Sequence, residues 1–258
     1  SRIHTSSPTS NSALLTENTS INNTAVGKDA LKLQVGGAGS NTAVGTTAGD
    51  AVTTGTANTL VGVDAGGALT TGSTNTAVGV NALLTETTGV DNVAIGKDAL
   101  KLQVAAASGN TAVGAYAGDA VTTGVGNTLM GINAGGALTT GANNTAVGAS
   151  ALLTETTSIS NTAVGQGALQ VLNAGAGGNT AVGKGAGDAL TTGSLNVAVG
   201  LDALGAETTG ASNIAIGKDA MLFATGATNC VVIGATAGNA MTTTCANNTA
   251  VGFDSLGA

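Results

Sequence analysis

The five-residue phrase Asn-Thr-Ala-Val-Gly at 23–27 returns at 41–45 and then, intact or nearly so, along the whole chain. Its closing glycine falls at 27, 45, 62, 79, 96, 114, 131, 148, 165, 183, 200, 217, 234 and 252. The steps run 18, 17, 17, 17 and then begin again, so a longer period spans every four units. That longer period is visible in the words themselves. Lys-Asp-Ala-Leu-Lys-Leu-Gln at 28–34 returns at 97–103, and Leu-Leu-Thr-Glu-Thr-Thr at 83–88 returns at 152–157. Self-similarity this strict marks a solenoid or array, in which each unit packs on its neighbours.

Composition decides what such an array is built from. There are 42 glycines, one proline, no tryptophan, one tyrosine (Tyr116) and two phenylalanines (Phe223, Phe253). Charged residues are 8 %, against ~25 % in a typical soluble domain. A thick core of large side chains is excluded. The fold has to bury small residues and satisfy its backbone groups in a regular lattice. Disordered chains are poor in β-branched residues and rich in charge, and this one is the reverse. The net charge of −7 argues against nucleic acid, which needs a basic face. No apolar run is long enough to span a membrane as a helix, and no signal peptide is visible.

Within a unit the phrase alternates, as a strand does. Thr24 and Val26 face one way; Asn23, Ala25 and Gly27 face the other. The threonine position is also filled by Val93, Val197, Ile214 and Val231, and the valine position by Ile95, Met130, Ile216 and Ile233. That tolerance predicts packed positions. Three residues past the anchor glycine stands alanine (Ala30, Ala48, Ala65, Ala82 and onward to Ala237), with only Ser255 breaking the series. A position held to a methyl group predicts a narrow interior. A second extended segment, such as 50–54 or 67–71, follows before small polar residues turn the chain back. A helical reading of the Ala- and Leu-rich words fails, because so short a period with glycine turns leaves no space for two helices.

The expected fold is therefore all-β: a parallel β-solenoid, or β-roll, of about 14 rungs with two short strands in each. Residues 1–22 read as a degenerate first repeat and cap, and 23–258 as the solenoid. Units in register lie ~4.8 Å apart, which would make a rod of roughly 65–70 Å. Like residues then form ladders. Asn23, Asn41, Asn58, Asn75 and Asn92 can link their amides along the axis, and Val26, Val44, Val61 and Val78 form a second column. The Thr/Val stripe is a natural seam between chains.

The phrase resembles the head repeat of YadA-like trimeric autotransporter adhesins; Asn-Val-Ala-Ile-Gly at 92–96 and Asn-Ile-Ala-Ile-Gly at 213–217 carry that likeness. Units such as 75–91 look still more like the arrays in phage-type tail fibres, which often precede an intramolecular chaperone domain. The resemblance covers 6–258, although these units are longer than the adhesin's. It implies a left-handed roll with three chains on one axis, set outside the cell, at a cell surface or on a virion.

Chemistry has little to work with. The sole histidine, His4, has no nucleophile or metal-ligand partner that the pattern assembles around it, so no enzyme and no cofactor is expected. Aspartates recur two residues past the anchor (Asp29, Asp64, Asp98, Asp202, Asp219, Asp254), and a second set (Asp50, Asp119, Asp188) follows the longer period. Turn capping is the favoured role, with calcium between rungs as the alternative. Paired threonines such as Thr53–Thr54 and Thr70–Thr71 suggest an ice-binding plane, but adjacent residues face opposite sides.

Cys230 replaces the ladder asparagine of its unit, and Cys245 lies near that unit's end. The start and finish of one coil lie about one rung apart, which suits a disulfide in an oxidising compartment. Two free buried thiols are the alternative. The carboxyl end stops mid-unit, which predicts either a following domain or cover by the next subunit.

The expected function is a structural fibre element, an adhesin head or tail-fibre shaft, working by reach and surface contact. Its partner would be itself, as a homotrimer or head-to-tail filament, together with a cell-surface receptor or glycan. A self-polymerising filament subunit and an ice- or glycan-binding solenoid are the alternatives.

Overall fold

The computed structural model describes residues 3–5 (backbone only), 22–35, 39–104, 106–173, 175–242 and 245–257. Most of the degenerate repeat expected over 1–22 lies outside them. The chain forms two compact units, Ser1–Asn127 and Thr128–Ala258.

The first unit carries strands β1 (Ile3–Thr5), β2 (Thr24–Val26), β3 (Thr42–Val44), β4 (Thr59–Val61), β5 (Thr76–Val78), β6 (Val93–Ile95) and β7 (Thr111–Val113). Each pairs in parallel with the next. Register follows the sequence period: Thr24 lies beside Thr42, Ala25 beside Ala43 and Val26 beside Val44. β1 joins with Ile3 beside Thr24.

The second unit repeats the arrangement with β8 (Thr128–Met130), β9 (Thr145–Val147), β10 (Thr162–Val164), β11 (Thr180–Val182), β12 (Val197–Val199), β13 (Ile214–Ile216), β14 (Val231–Ile233) and β15 (Thr249–Val251). These also pair in parallel, in chain order. Both units are all-β parallel solenoids, with no helix among the described residues.

Two expectations need correction. Among the described residues each coil holds one strand, not two. The second segment ends a run of turns that opens where the residues two and four past the anchor glycine take left-handed φ: Asp29 at 57° and Leu31 at 49°, Asp64 at 55° and Gly66 at 61°. Tight turns follow, such as Ala30 N–H to Gly27 O at 3.4 Å. Bonds still cross between coils there, as in Leu33 N–H to Asp50 O at 3.1 Å, but without strand geometry.

The phase of burial is also reversed from the packing expected at the Thr and Val positions. Ala25, Ala43 and Ala77 are fully buried, while Val26 and Val44 are more than a third exposed. Val61 and Val78 are intermediate. Swaps of Thr for Val reflect the liking of β-branched residues for a pleated surface, and that liking holds on the outer face.

The expected narrow interior is present: Ala30, Ala48, Ala65 and Ala82 are wholly buried. Where a strand centre is large, the turn beside it gives way. Leu60 fills the space in which a Cβ on Gly66 would sit, 2.8 Å from its Cδ2. Where the strand centre is Ala25 or Ala77, the turn supplies Leu31 or Leu83, both buried at positive φ. A leucine there bears roughly 1–2 kcal/mol of backbone strain, offset by burying its side chain at ~1.5–3 kcal/mol.

The anchor glycine has no substitute. Gly79 sits at φ 137°, and a Cβ on it would lie 2.5 Å from Gly96 O.

Candidate functional site

The ladder asparagines are bonded at both ends of their carboxamides. Asn41, Asn58, Asn75 and Asn92 are fully buried and Asn23 nearly so. The Oδ1 of Asn58 accepts the Asn75 backbone N–H at 3.0 Å and its Nδ2–H at 3.2 Å. The Asn58 Nδ2 also donates to Gly72 O at 2.9 Å, towards the end of the same coil. Each amide thus joins neighbouring coils and closes its own. The second unit repeats this from Asn144 to Asn213, as in Asn196 Nδ2 to Gly210 O at 2.8 Å.

Buried carboxylates are the feature that sequence reasoning missed. Glu86, Glu155 and Glu207 are completely buried. In the coil that follows Gly62, three consecutive N–H groups converge on one carbonyl of the next coil. Those of Thr70, Thr71 and Gly72 meet Thr87 O at 2.9, 3.2 and 3.3 Å. The coil after Gly96 is one residue longer, and its matching carbonyl, Val104 O, accepts Ala107 N–H in its own turn. The donors of Thr87, Thr88 and Gly89 converge instead on Glu86 Oε1, at 2.8, 2.9 and 2.7 Å. Glu155 does the same for Thr156, Thr157 and Ser158 at 2.7, 2.7 and 2.6 Å, again beside a long coil. Three N–H groups around one oxygen form an anion-holding nest.

The second oxygen differs among the three. Glu86 Oε2 accepts from Gln103 Nε2 at 3.2 Å, and Glu207 Oε2 from Ala227 N–H at 2.8 Å. Glu155 Oε2 has no hydrogen-bond partner. The residue that matches Gln103 one long period later is Leu172, which cannot donate. A signal for this burial existed: Glu86, Glu155 and Glu207 stand in a column that also holds Val52, Leu69, Val121 and Leu138, although Gln34 and Gln103 share it.

The aspartates two past the anchor occupy left-handed turn positions, for which Asp and Asn are the best non-glycine residues. They also bond sideways. Asn81 Nδ2 reaches Asp98 Oδ1 at 2.9 Å, and the Thr47 hydroxyl donates to Asp64. Asp98 takes Lys101 at 3.4 Å and Lys97 at 3.7 Å. Burial alone would raise its pKa, but these partners outweigh it and hold the carboxyl below its ordinary value. Asp50 and Asp188 go the other way, pushed up by burial and then by Asp64 and Asp202 respectively. Among the described residues no three His, Cys, Asp or Glu side chains gather closely enough to hold a metal ion. In the second unit a small cleft of about 140 Å³ is lined by Gln166, Gln170, Lys184, Asp188 and Asp202.

His4 pairs through its backbone with Ala25. Of the paired threonines, the hydroxyls of Thr53 and Thr70 donate to Thr70 O and Thr87 O, while Thr54 and Thr71 are exposed. Cys230 and Cys245 are free thiols with their sulfurs 3.8 Å apart.

The outer strand face carries a recurring apolar column. Ile95, Met130, Val182, Ile216 and Ile233 are each more than a third exposed, at the strand position that Val26 and Val44 also hold. No described helix is long and apolar enough to cross a membrane.

No family model and no curated protein matches this chain.

Proposed function

We propose that this chain is a structural element of an extracellular or virion fibre, in which several copies, three by the adhesin resemblance, pack along their outer strand faces. It does no chemistry; it holds attachment surfaces away from their support. One observation carries the reading. The inward side of each strand spends its polar groups on the amide ladder, whereas the outward side presents a repeated column of Val, Ile and Met to solvent. A partly exposed apolar column that recurs in coil after coil suits contact along its length.

A head-to-tail filament is the second reading. Val251 and Phe253, in and beside β15, are 66 % and 81 % exposed, a surface that a further coil from any source would cover. The Thr53 and Thr70 hydroxyls, being bonded to backbone, weaken an ice-binding plane. A thermal-hysteresis assay tests that alternative.

Light scattering of purified chain, joined to negative-stain imaging, tests the main reading. Particles of three chains and fixed length support the trimeric fibre. Particles of indefinite length support the filament. A stable monomer that adheres to no cell or glycan surface overturns both.

A further inference from the structure

We propose that Cys230 and Cys245 form a disulfide that replaces, covalently, the amide clasp by which the other ladder residues close their coils. The proposal is independent of the fibre reading.

Cys230 enters the ladder normally: its backbone N–H donates to Asn213 Oδ1 at 3.0 Å. It lacks the carboxamide that should close the coil. In the long coils that begin at Asn92 and Asn161, the amide reaches a carbonyl near the coil's end. Asn92 Nδ2 donates to Ala107 O at 2.9 Å, and Asn161 Nδ2 to Ala176 O at 3.1 Å. The coil from Cys230 to Asn248 is also of the long kind, and the residue in it that matches Ala107 and Ala176 is Cys245. The Cys230 sulfur lies 3.8 Å from Cys245 O, a poor closing bond from a weak donor. It lies equally close to the Cys245 sulfur. The second cysteine therefore stands where the clasp is needed and the hydrogen bond has been lost.

Exposure fixes the order of events. Cys230 is fully buried and Cys245 is part exposed. The Cys245 thiolate attacks one sulfur of a small-molecule disulfide such as oxidised glutathione, forming a mixed disulfide and releasing one thiol. Cys230 then attacks the Cys245 sulfur and releases the second thiol. One S–S bond breaks and one forms; two electrons and two protons pass from the protein to the external disulfide. Burial and the neighbouring Cys230 push the Cys245 thiol up to about 11, so the first attack is slow at neutral pH and quickens in alkali.

The test treats the folded chain with oxidised glutathione at alkaline pH. The titratable thiols should fall from two to none, without added mass. Cleavage at methionine separates 222–241 from 242–258, since Met241 lies between the cysteines. After oxidation these fragments should stay joined until reduced, and amide exchange over 231–247 should slow. The variant C230N, kept reduced, should show the same slowing by restoring the amide clasp. A lasting glutathione adduct on Cys245 with Cys230 still free, a bridge between chains, or no loss of thiols overturns the disulfide. A C230N variant that exchanges as fast as the reduced wild type overturns the clasp.

Discussion

The side-chain oxygen of Asn41 accepts both the backbone N–H and the amide N–H of Asn58, at 2.9 and 3.1 Å. Asn58 hands the same pair of bonds to Asn75. Truncating one member therefore breaks bonds on both sides. N58A leaves the buried Asn75 N–H without its acceptor and Gly72 O without this donor. The expected cost is about 3 kcal/mol, since each orphaned buried group costs roughly 1–3 kcal/mol. Denaturant unfolding measures it, and exchange at the Asn75 amide should quicken more than at amides two coils away.

Glu86 holds three backbone donors at a place where the next coil cannot. E86A should cost more than N58A, because three N–H groups lose one acceptor together. E86Q keeps an oxygen for them but turns a second donor toward Gln103, so it should fall between wild type and E86A. Equilibrium unfolding of the three proteins gives the order.

Leu172 faces the opposite situation. It stands where a glutamine would complete Glu155 as Gln103 completes Glu86. L172Q should be neutral or stabilising by about 1 kcal/mol, one net hydrogen bond. L60Q, placed among apolar atoms, should cost about 3 kcal/mol. Both are read by chemical denaturation. Equal losses would remove the argument about the orphan oxygen.

Much of this was legible in the sequence, for a physical reason. Fixed steps between anchor glycines force like residues into register, so the Asn ladder and the confined Ala30 column follow from counting. What alternation cannot give is its phase. Thr24 and Val26 have strand-forming side chains whichever side they face, whereas the buried side is marked by Ala25 and Asn23, small or able to bond fully. Nor did the words at 50–54 reveal turns in place of a second strand. Leucine at positive φ, as in Leu31, is costly and is sustained only by packing that forms in the folded coil. Glu86 was hidden because a charged residue is read as solvated until its column-mates Val52 and Leu69 are aligned with it.

Asp188 and Asp98 give opposite pH signatures. The folded pKa of Asp188 is raised by burial and by Asp202 above the ordinary 3.8, so the folded state binds this proton more tightly than the unfolded chain. Its contribution is fully present below pH 3.8 and is lost as pH rises through the folded value. D188N should therefore be slightly more stable than wild type at neutral pH, with the gain vanishing in acid. For Asp98 burial opposes ionisation, but Asn81, Lys101 and Lys97 prevail and lower its pKa. Its contribution is present above 3.8 and is lost as pH falls through the folded value, so D98N should be less stable at neutral pH. Thermal unfolding across a pH series checks both signs.

On the outer face, V44K should leave the chain's own unfolding within about 0.5 kcal/mol of wild type, as exposed positions usually do, while abolishing the proposed assembly, as read by light scattering. A loss of several kcal/mol from the single chain would mean that this column is core.

The central claim is that repeats stack in register through side-chain amides. Scalar couplings across hydrogen bonds, measured by NMR on labelled chain, test it most directly. The account predicts a coupling from the Asn75 backbone nitrogen to the Asn58 side-chain carbonyl carbon, and from Asn196 to Asn179 in the second unit. Couplings confined to neighbours in sequence, with none bridging one coil to the next, would contradict it.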